Sequence, residues 1–294
     1  MATPTSMSPV QKCAECGFDF PLARPDCPHC ARPSLFPNVK LAQQTQETDK
    51  LEKRYKAALA DAASRGCSSI ADEFDTECKS SSAICRYPVE RLHRHIASGT
   101  DLFAGYYELE QLRLRMSAPS GFDWERLRPQ AEIELLGNSA HINENQIHYA
   151  CLSIDGEGLN TYGDCILQLS EPMIAHRASC FDGNTAVIFA IEHTFEGRLR
   201  SDWPNRHRIC VATMAGQLNS SIGPSDLPGI LAAPDPGGDA ANDSFIEVHI
   251  FGSLTTMAFE LVTFVTAGHN KHKNVYREVV EAKLASVGVP HTTR

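Results

Sequence analysis

Residues 13–30 run Cys13-Ala-Glu-Cys16, ten residues, then Cys27-Pro-His-Cys30, and this pattern constrains the chain more than any other. Two CxxC knuckles at that distance bring four thiolates to the corners of one tetrahedron, the arrangement of a structural Zn²⁺. Such a segment has almost no core of its own, so metal binding would provide most of its folding energy. Four thiolates close the coordination shell, which argues against a catalytic zinc with an open position. Gly17 relaxes the turn after the first knuckle, and His29 reads as a bystander. Cys13, Cys16, Cys27 and Cys30 are therefore the expected ligands of a zinc ribbon over residues 1–38.

The chain holds eleven cysteines in 294 residues. Its first residues, MATPTSMSPVQK, lack the apolar run of a signal peptide, and nowhere do about 18 apolar residues stand in a row. Disulfides are then a poor explanation for the thiols, and a cytoplasmic protein without a membrane span is expected. Cys67, Cys78, Cys85, His93 and His95 match no ligand spacing and read as core or surface residues, with a second metal site left open. The net charge is -9. Residues 1–40 carry four basic and three acidic groups and residues 41–100 nine of each, which leaves 14 basic against 24 acidic in the remaining 194. An anionic macromolecule is better met by the ribbon than by this acidic remainder.

Residues 39–66 are rich in Gln, Glu, Lys and Ala, with sparse apolar positions at Leu41, Leu51, Tyr55 and Leu59; they read as one solvated linking helix. Residues 67–140 read as helical, with Val89, Leu92 and Ile96 at helical spacing and WERLRPQAEIELL (124–136) as a further amphipathic helix whose first half Pro129 disturbs. Short strand-like runs occupy 145–266: IHYACLSI, DCILQL, TAVIFAI, RICVAT, FIEVHIFG and AFELVTFV. Residues 219–243, dense in Gly, Pro, Ser and Asp, read as a long loop without a core of its own. A final helix is expected over 275–287, with Asn274 as N-cap and Gly288 as stop. The class is α+β: a zinc ribbon and linking helix, then helices followed by a strand-rich half. No GxGxxG after a strand, P-loop, GxSxG or HExxH is present.

Five segments carry a resemblance in their order: the Trp124–Gly137 helix, IHYACLS, TYGDCILQL, HRASCFDGNT and FIEVHIFGSL. Together they resemble an uncharacterised bacterial family of ADP-ribosyltransferase-like toxins, over about residues 100–265. The resemblance implies an ADP-ribosyltransferase-like domain over 67–294, using NAD as substrate and modifying a macromolecular target, protein or nucleic acid. It also implies an antitoxin or inhibitor protein as partner. The implied catalytic carboxylate is Glu247, which would stabilise the oxocarbenium-like state as nicotinamide leaves. His148 and Tyr149 would face the ribose and adenosine, Tyr162 the nicotinamide, and Arg177, Ser179 and Asn184 a phosphate or ribose.

Read as a strand, 245–251 places Ile246, Val248 and Ile250 on one face and Phe245, Glu247, His249 and Phe251 on the other. A carboxylate between aromatic rings tends to a raised pKa unless a partner offsets its desolvation. Asp155 and Asp164 read as turn formers. The sequence departs from the family pattern at Val248-His249, where Ala-Gln is usual, and at Phe251, where His is usual. Those departures favour a second reading, a non-catalytic interaction protein on a degenerate transferase fold. A third is a thiol hydrolase using Cys151, Cys165 or Cys180 with His148 or His176.

Overall fold

The computed structural model describes residues 10–13, 17–21, 27–30, 36–97, 102–103, 124–136 and 147–294. Cys16 lies outside them. In chain order the strands are β1 (Val10–Lys12), β2 (Asp19–Pro21), β3 (Ser82–Tyr87), β4 (Leu102–Phe103), β5 (Ile147–Ser153), β6 (Cys165–Leu169) and β7 (Ala178–Phe181). They continue with β8 (Arg200–Asp202), β9 (Ala232–Ala233), β10 (Ser244–Phe245), β11 (Glu247–Phe251), β12 (Leu254–Thr255), β13 (Phe259–Phe264) and β14 (His291–Thr293). Eight of them form one mixed sheet in the order β14-β13-β6-β3-β5-β11-β7-β8. Every pairing is antiparallel except the edge pair β13–β14.

The helices are α1 (Pro37–Ala42), α2 (Thr45–Ser64), α3 (Ser68–Ser80), α4 (Val89–Ala97), α5 (Trp124–Leu136) and α6 (Glu171–Ile174). They are followed by α7 (Thr185–Glu192), α8 (Arg206–Met214), α9 (Leu227–Leu231) and α10 (Lys271–Ser286). Among the described residues, none is long and apolar enough to cross a membrane. Both faces of the sheet are covered, so its central strands are buried on both sides. Ile246, Val248 and Ile250 enter the main core with Phe74 of α3, Ile209 and Val211 of α8 and Leu284 of α10. Ile147, Phe181 and Phe251, on the other face, pack with Leu41 of α1, Leu135 of α5 and Ile188 of α7. The alternation expected along 245–251 therefore holds.

Several expectations are corrected. The single helix over 39–66 is two, α1 and α2, separated at Gln43–Gln44. The stretch expected to be helical from 67 to 140 contains β3, which lies inside the sheet between β6 and β5. TAVIFAI is helix α7, started by the Asn184 side chain, which accepts the amides of Ala186 and Val187. RICVAT lies in helix α8, with Ile209, Cys210 and Val211 fully buried. A short apolar run does not by itself distinguish a buried helix from a buried strand. The segment 219–243 contributes Leu227 and Leu231 to the main core through α9. The last helix begins at Lys271 with Asn270 as N-cap, one turn earlier than expected. Asp155 does form its turn, accepting Ser153 Oγ and the Glu157 amide. Asp164 does more: it accepts the Val89 amide at 2.7 Å and Lys273 Nζ at 2.6 Å, tying α4 to α10.

Gly163, in the connection from β5 to β6, lies against the backbone at the end of β3. Its φ is +147°, and a Cβ there would lie 2.1 Å from the Tyr87 carbonyl carbon and 2.3 Å from Pro88 N. Gly163→Ala should therefore cost about 2 kcal/mol or more in urea unfolding, since backbone must shift on both sides. Gly229→Ala is the control. A Cβ there meets nothing within 4 Å, and the change should be neutral or stabilising by about 0.5 kcal/mol.

Candidate functional site

Two sites arise from the residues. In the N-terminal module β1 and β2 pair antiparallel, and the turn between them is closed by Gly17 N donating to Cys13 O and Cys13 N donating to Phe18 O. Gly17 sits at φ +70°, the left-handed backbone that the knuckle demands. The sulfurs of Cys13, Cys27 and Cys30 all lie within 4.8 Å of one another and could hold a metal ion. Among the described residues this is the one such group of three or more Cys, His, Asp or Glu. Cys13 and Cys30 are separated by 3.6 Å, sulfur to sulfur. A tetrahedron with Zn–S of 2.3 Å has an edge of about 3.8 Å, so the spacing suits a thiolate-bound zinc. Of the other thiols, Cys67 donates to Arg65 O and Cys85 to Tyr149 O.

The second site is a buried polar cluster on the α1/α5/α7 face of the sheet. Glu247 is 2% exposed. Its Oε2 accepts the Thr185 amide at 2.9 Å, Thr185 Oγ at 2.5 Å and a bond with His249 Nε2 at 2.9 Å. Its Oε1 faces Arg128 Nη2 at 3.7 Å. Thr185 is the first residue of α7, so the carboxylate also sits at a positive helix terminus. Arg128 reaches down from α5, lies 3.9 Å over the Tyr149 ring and donates to Thr185 Oγ at 3.1 Å. The Tyr149 hydroxyl donates to Glu132, one turn further along α5. His249 is enclosed by Tyr149 edge-on and by Phe181 stacked. Asn38 of α1 completes the layer, donating to Ser179 Oγ, Arg177 O and His249 O.

Burial alone would raise the Glu247 carboxyl. The Arg128 charge, the His249 contact and the Thr185 hydrogen bond outweigh it and hold the group down at about 2. The upward tendency expected of a carboxylate between Phe rings is thus reversed, because the offsetting partner is present.

The register separates the residues singled out from the sequence. Tyr149 pairs with His249, Cys151 with Glu247, and Ser179 with His249, so Tyr149, Ser179 and Glu247 share a face. Tyr162 is on that side too: it packs with Cys151 and Phe245, and burial, then the Asp243 and Glu247 charges, raise its phenol. His148 pairs with Ile250 and lies on the opposite face. There burial, then Arg177, push it down to about 4. Arg177 donates to the carbonyls of Met173, Phe251 and Ser253, holding the ends of β7 and β11 together. Asn184 is the α7 cap. Burial raises Cys151 to about 12 and pushes up Cys165 and Cys180 as well, which disfavours thiolate at each.

Arg128, Glu132, Thr185 and Asn38 went unread in the sequence. Arg128 and Glu132 sit four apart on a helix whose charge pattern resembles any solvated face, so nothing local marked them as buried. Asn184-Thr185 did carry a signal, an N-cap before an apolar run, but read as strand it pointed elsewhere. The chain matches no protein-family model, and a comparison with curated proteins found no match.

Proposed function

We propose that this chain works by binding, not by turnover: a zinc-held N-terminal module docks a macromolecular partner, and the body is a scaffold braced at Glu247. One observation carries this reading. The Glu247 carboxylate is 2% exposed and its oxygens are engaged by Thr185, His249 and Arg128. A carboxylate that stabilises a developing cation needs an atom free to meet it. Zinc is the metal that the four cysteines suit, with Cys16 as the fourth thiolate. Cys67, Cys78, Cys85, Cys151, Cys165, Cys180 and Cys210 are free thiols, which fits a reducing compartment such as the cytoplasm. The module, neutral over residues 1–38, is better suited to an anionic partner than the acidic remainder of the chain.

A second reading has an observation in its favour. Glu247, Tyr149, Tyr162 and Ser179 share one face, and an ionised carboxylate is the form that NAD-dependent ADP-ribosyl transfer requires. On that reading the fold is ADP-ribosyltransferase-like, the target is a macromolecule, an inhibitor protein is a natural partner, and the Arg128 side chain leaves Glu247 before NAD enters.

The test incubates the full zinc-loaded chain with labelled NAD and cell lysate, beside Glu247→Gln. Metal analysis should give about one zinc per chain, and neither protein should release nicotinamide. Release by the wild type that is lost in Glu247→Gln would replace the binding reading with the transferase one.

A further inference from the structure

The loop between β9 and β10 holds three aspartates that neither site uses. The two strands pair antiparallel, Ala232 with Phe245 and Ala233 with Ser244, and the loop reads Pro234-Asp-Pro-Gly-Gly-Asp-Ala-Ala-Asn-Asp243. Its aspartates are linked through its own backbone. Asp243 Oδ1 accepts the Asp235 amide at 2.7 Å and Thr161 Oγ at 3.4 Å, and Asp235 Oδ2 accepts the Asp239 amide at 3.1 Å. Asp243 is 9% exposed, and its other oxygen, Oδ2, is buried without a hydrogen-bond partner. A buried acceptor with nothing to bond is costly, and in a native fold it calls for a water or an ion.

The surroundings point to a cation. Burial raises the Asp243 carboxyl, and the Asp235 and Asp239 charges add to it; a positive ion would relieve all three carboxylates at once. A Cβ at Gly237 would lie 2.8 Å from Asp235 Oδ2, so glycine is what leaves room for that carboxylate. Acid oxygens on a glycine-containing loop are the donor set of a hard cation. Ca²⁺ takes about six to eight oxygens in flexible geometry, whereas Mg²⁺ demands a near-ideal octahedron and gives up its water reluctantly. A loop of this kind therefore suits the larger ion.

We propose that the 235–243 loop is a calcium site, with Asp243 Oδ2, Asp235 and Asp239 as its carboxylate ligands and water completing the shell. The three carboxylates do not all stand within 4.8 Å of one another, so binding draws the loop closed, turning on Gly238 at φ +77°. The loop bears on the Glu247 cluster through Ala241, which packs against Ala186 and Val187 of α7, the helix whose first residue bonds Glu247. Calcium here depends neither on zinc at the cysteines nor on the role of Glu247, so its absence would leave both readings standing.

Calorimetric titration of the full zinc-loaded chain with calcium chloride decides it. One Ca²⁺ should bind per chain with a Kd of about 0.1–1 mM, the weak end for calcium sites because the loop has to close, and Mg²⁺ at least about ten-fold more weakly. Asp243→Asn and Asp239→Asn keep the oxygens that accept the Asp235 and Ala241 amides and remove one charge each. Each should weaken calcium at least about ten-fold, because affinity follows the number of charged ligands. Asp49→Asn, exposed on α2, should leave binding unchanged. No saturable calcium heat, magnesium as tight as calcium, or equal weakening by Asp49→Asn would overturn the site. If Asp243→Asn does not fold, Asp239→Asn alone decides, and wild-type affinity in that variant would overturn it.

Discussion

Glu247→Gln should lower the free energy of unfolding by about 3 kcal/mol, the size expected when one partner of a buried ion pair is removed. Gln matches Glu in shape and keeps one oxygen to accept the Thr185 bonds, so the loss falls at the lower end of that range. What it removes is the charge. Arg128, whose side chain is 12% exposed, then loses the Glu247 charge, and the helix terminus of α7 loses its anion. In urea titrations the midpoint should fall with an unchanged slope, since the native contacts are otherwise retained. Thr185→Val, which deletes one donor, should cost about 1–2 kcal/mol. A Glu247→Gln protein as stable as the wild type would mean that the carboxylate is not bracing the sheet.

Acid should destabilise the chain well above the pH at which ordinary carboxylates titrate. His95 and His148 are each held down at about 4, chiefly by burial, with Arg91 and Arg177 adding to it. A buried neutral histidine contributes stability that is complete above its unfolded value of about 6.5 and is lost as pH falls towards 4. Each accounts for up to about 3 kcal/mol over that window. Asp182 works the other way. Burial raises it to about 6, so its contribution is present below its ordinary carboxylate value and lost as pH rises through 6. With two histidines against one aspartate, stability should fall by about 3 kcal/mol between pH 6.5 and 4. Glu247 adds a further loss below about pH 4.5, as the solution passes from the unfolded carboxyl value towards the folded value of about 2. Urea midpoints at pH 7.5, 6, 5 and 4 give the profile. His148→Phe should flatten the upper part; a flat wild-type profile would contradict the burial of the two imidazoles.

Where a residue's structure follows from its neighbours, the sequence was readable. The knuckle with Gly17 at φ +70°, the alternation of Ile246, Val248 and Ile250 against Glu247 and His249, and the helix across Pro129 all follow from local spacing. What failed depended on tertiary packing. Thr185–Ile188 of TAVIFAI and Ile209–Val211 of RICVAT are buried, and only the surrounding layers make these apolar runs helices. His148 and Tyr149 are adjacent, so one candidate pair had to be divided between two faces, and period two alone said so. The carboxylate at Glu247 was legible as special, but its partners were not. Arg128 comes from a helix 119 positions away and Thr185 from a turn 62 positions away, separations that no motif spans.

The most direct test of the bracing role is the titration of Glu247 itself, followed by carbon NMR of glutamate-labelled protein and assigned through Glu247→Gln. A carboxylate enclosed by Arg128, Thr185 and His249 should stay ionised at pH 4 and below, while exposed glutamates titrate near 4.3, and its signal should not move when NAD is added. A midpoint at or above the ordinary glutamate value, or a shift on addition of NAD, would contradict it.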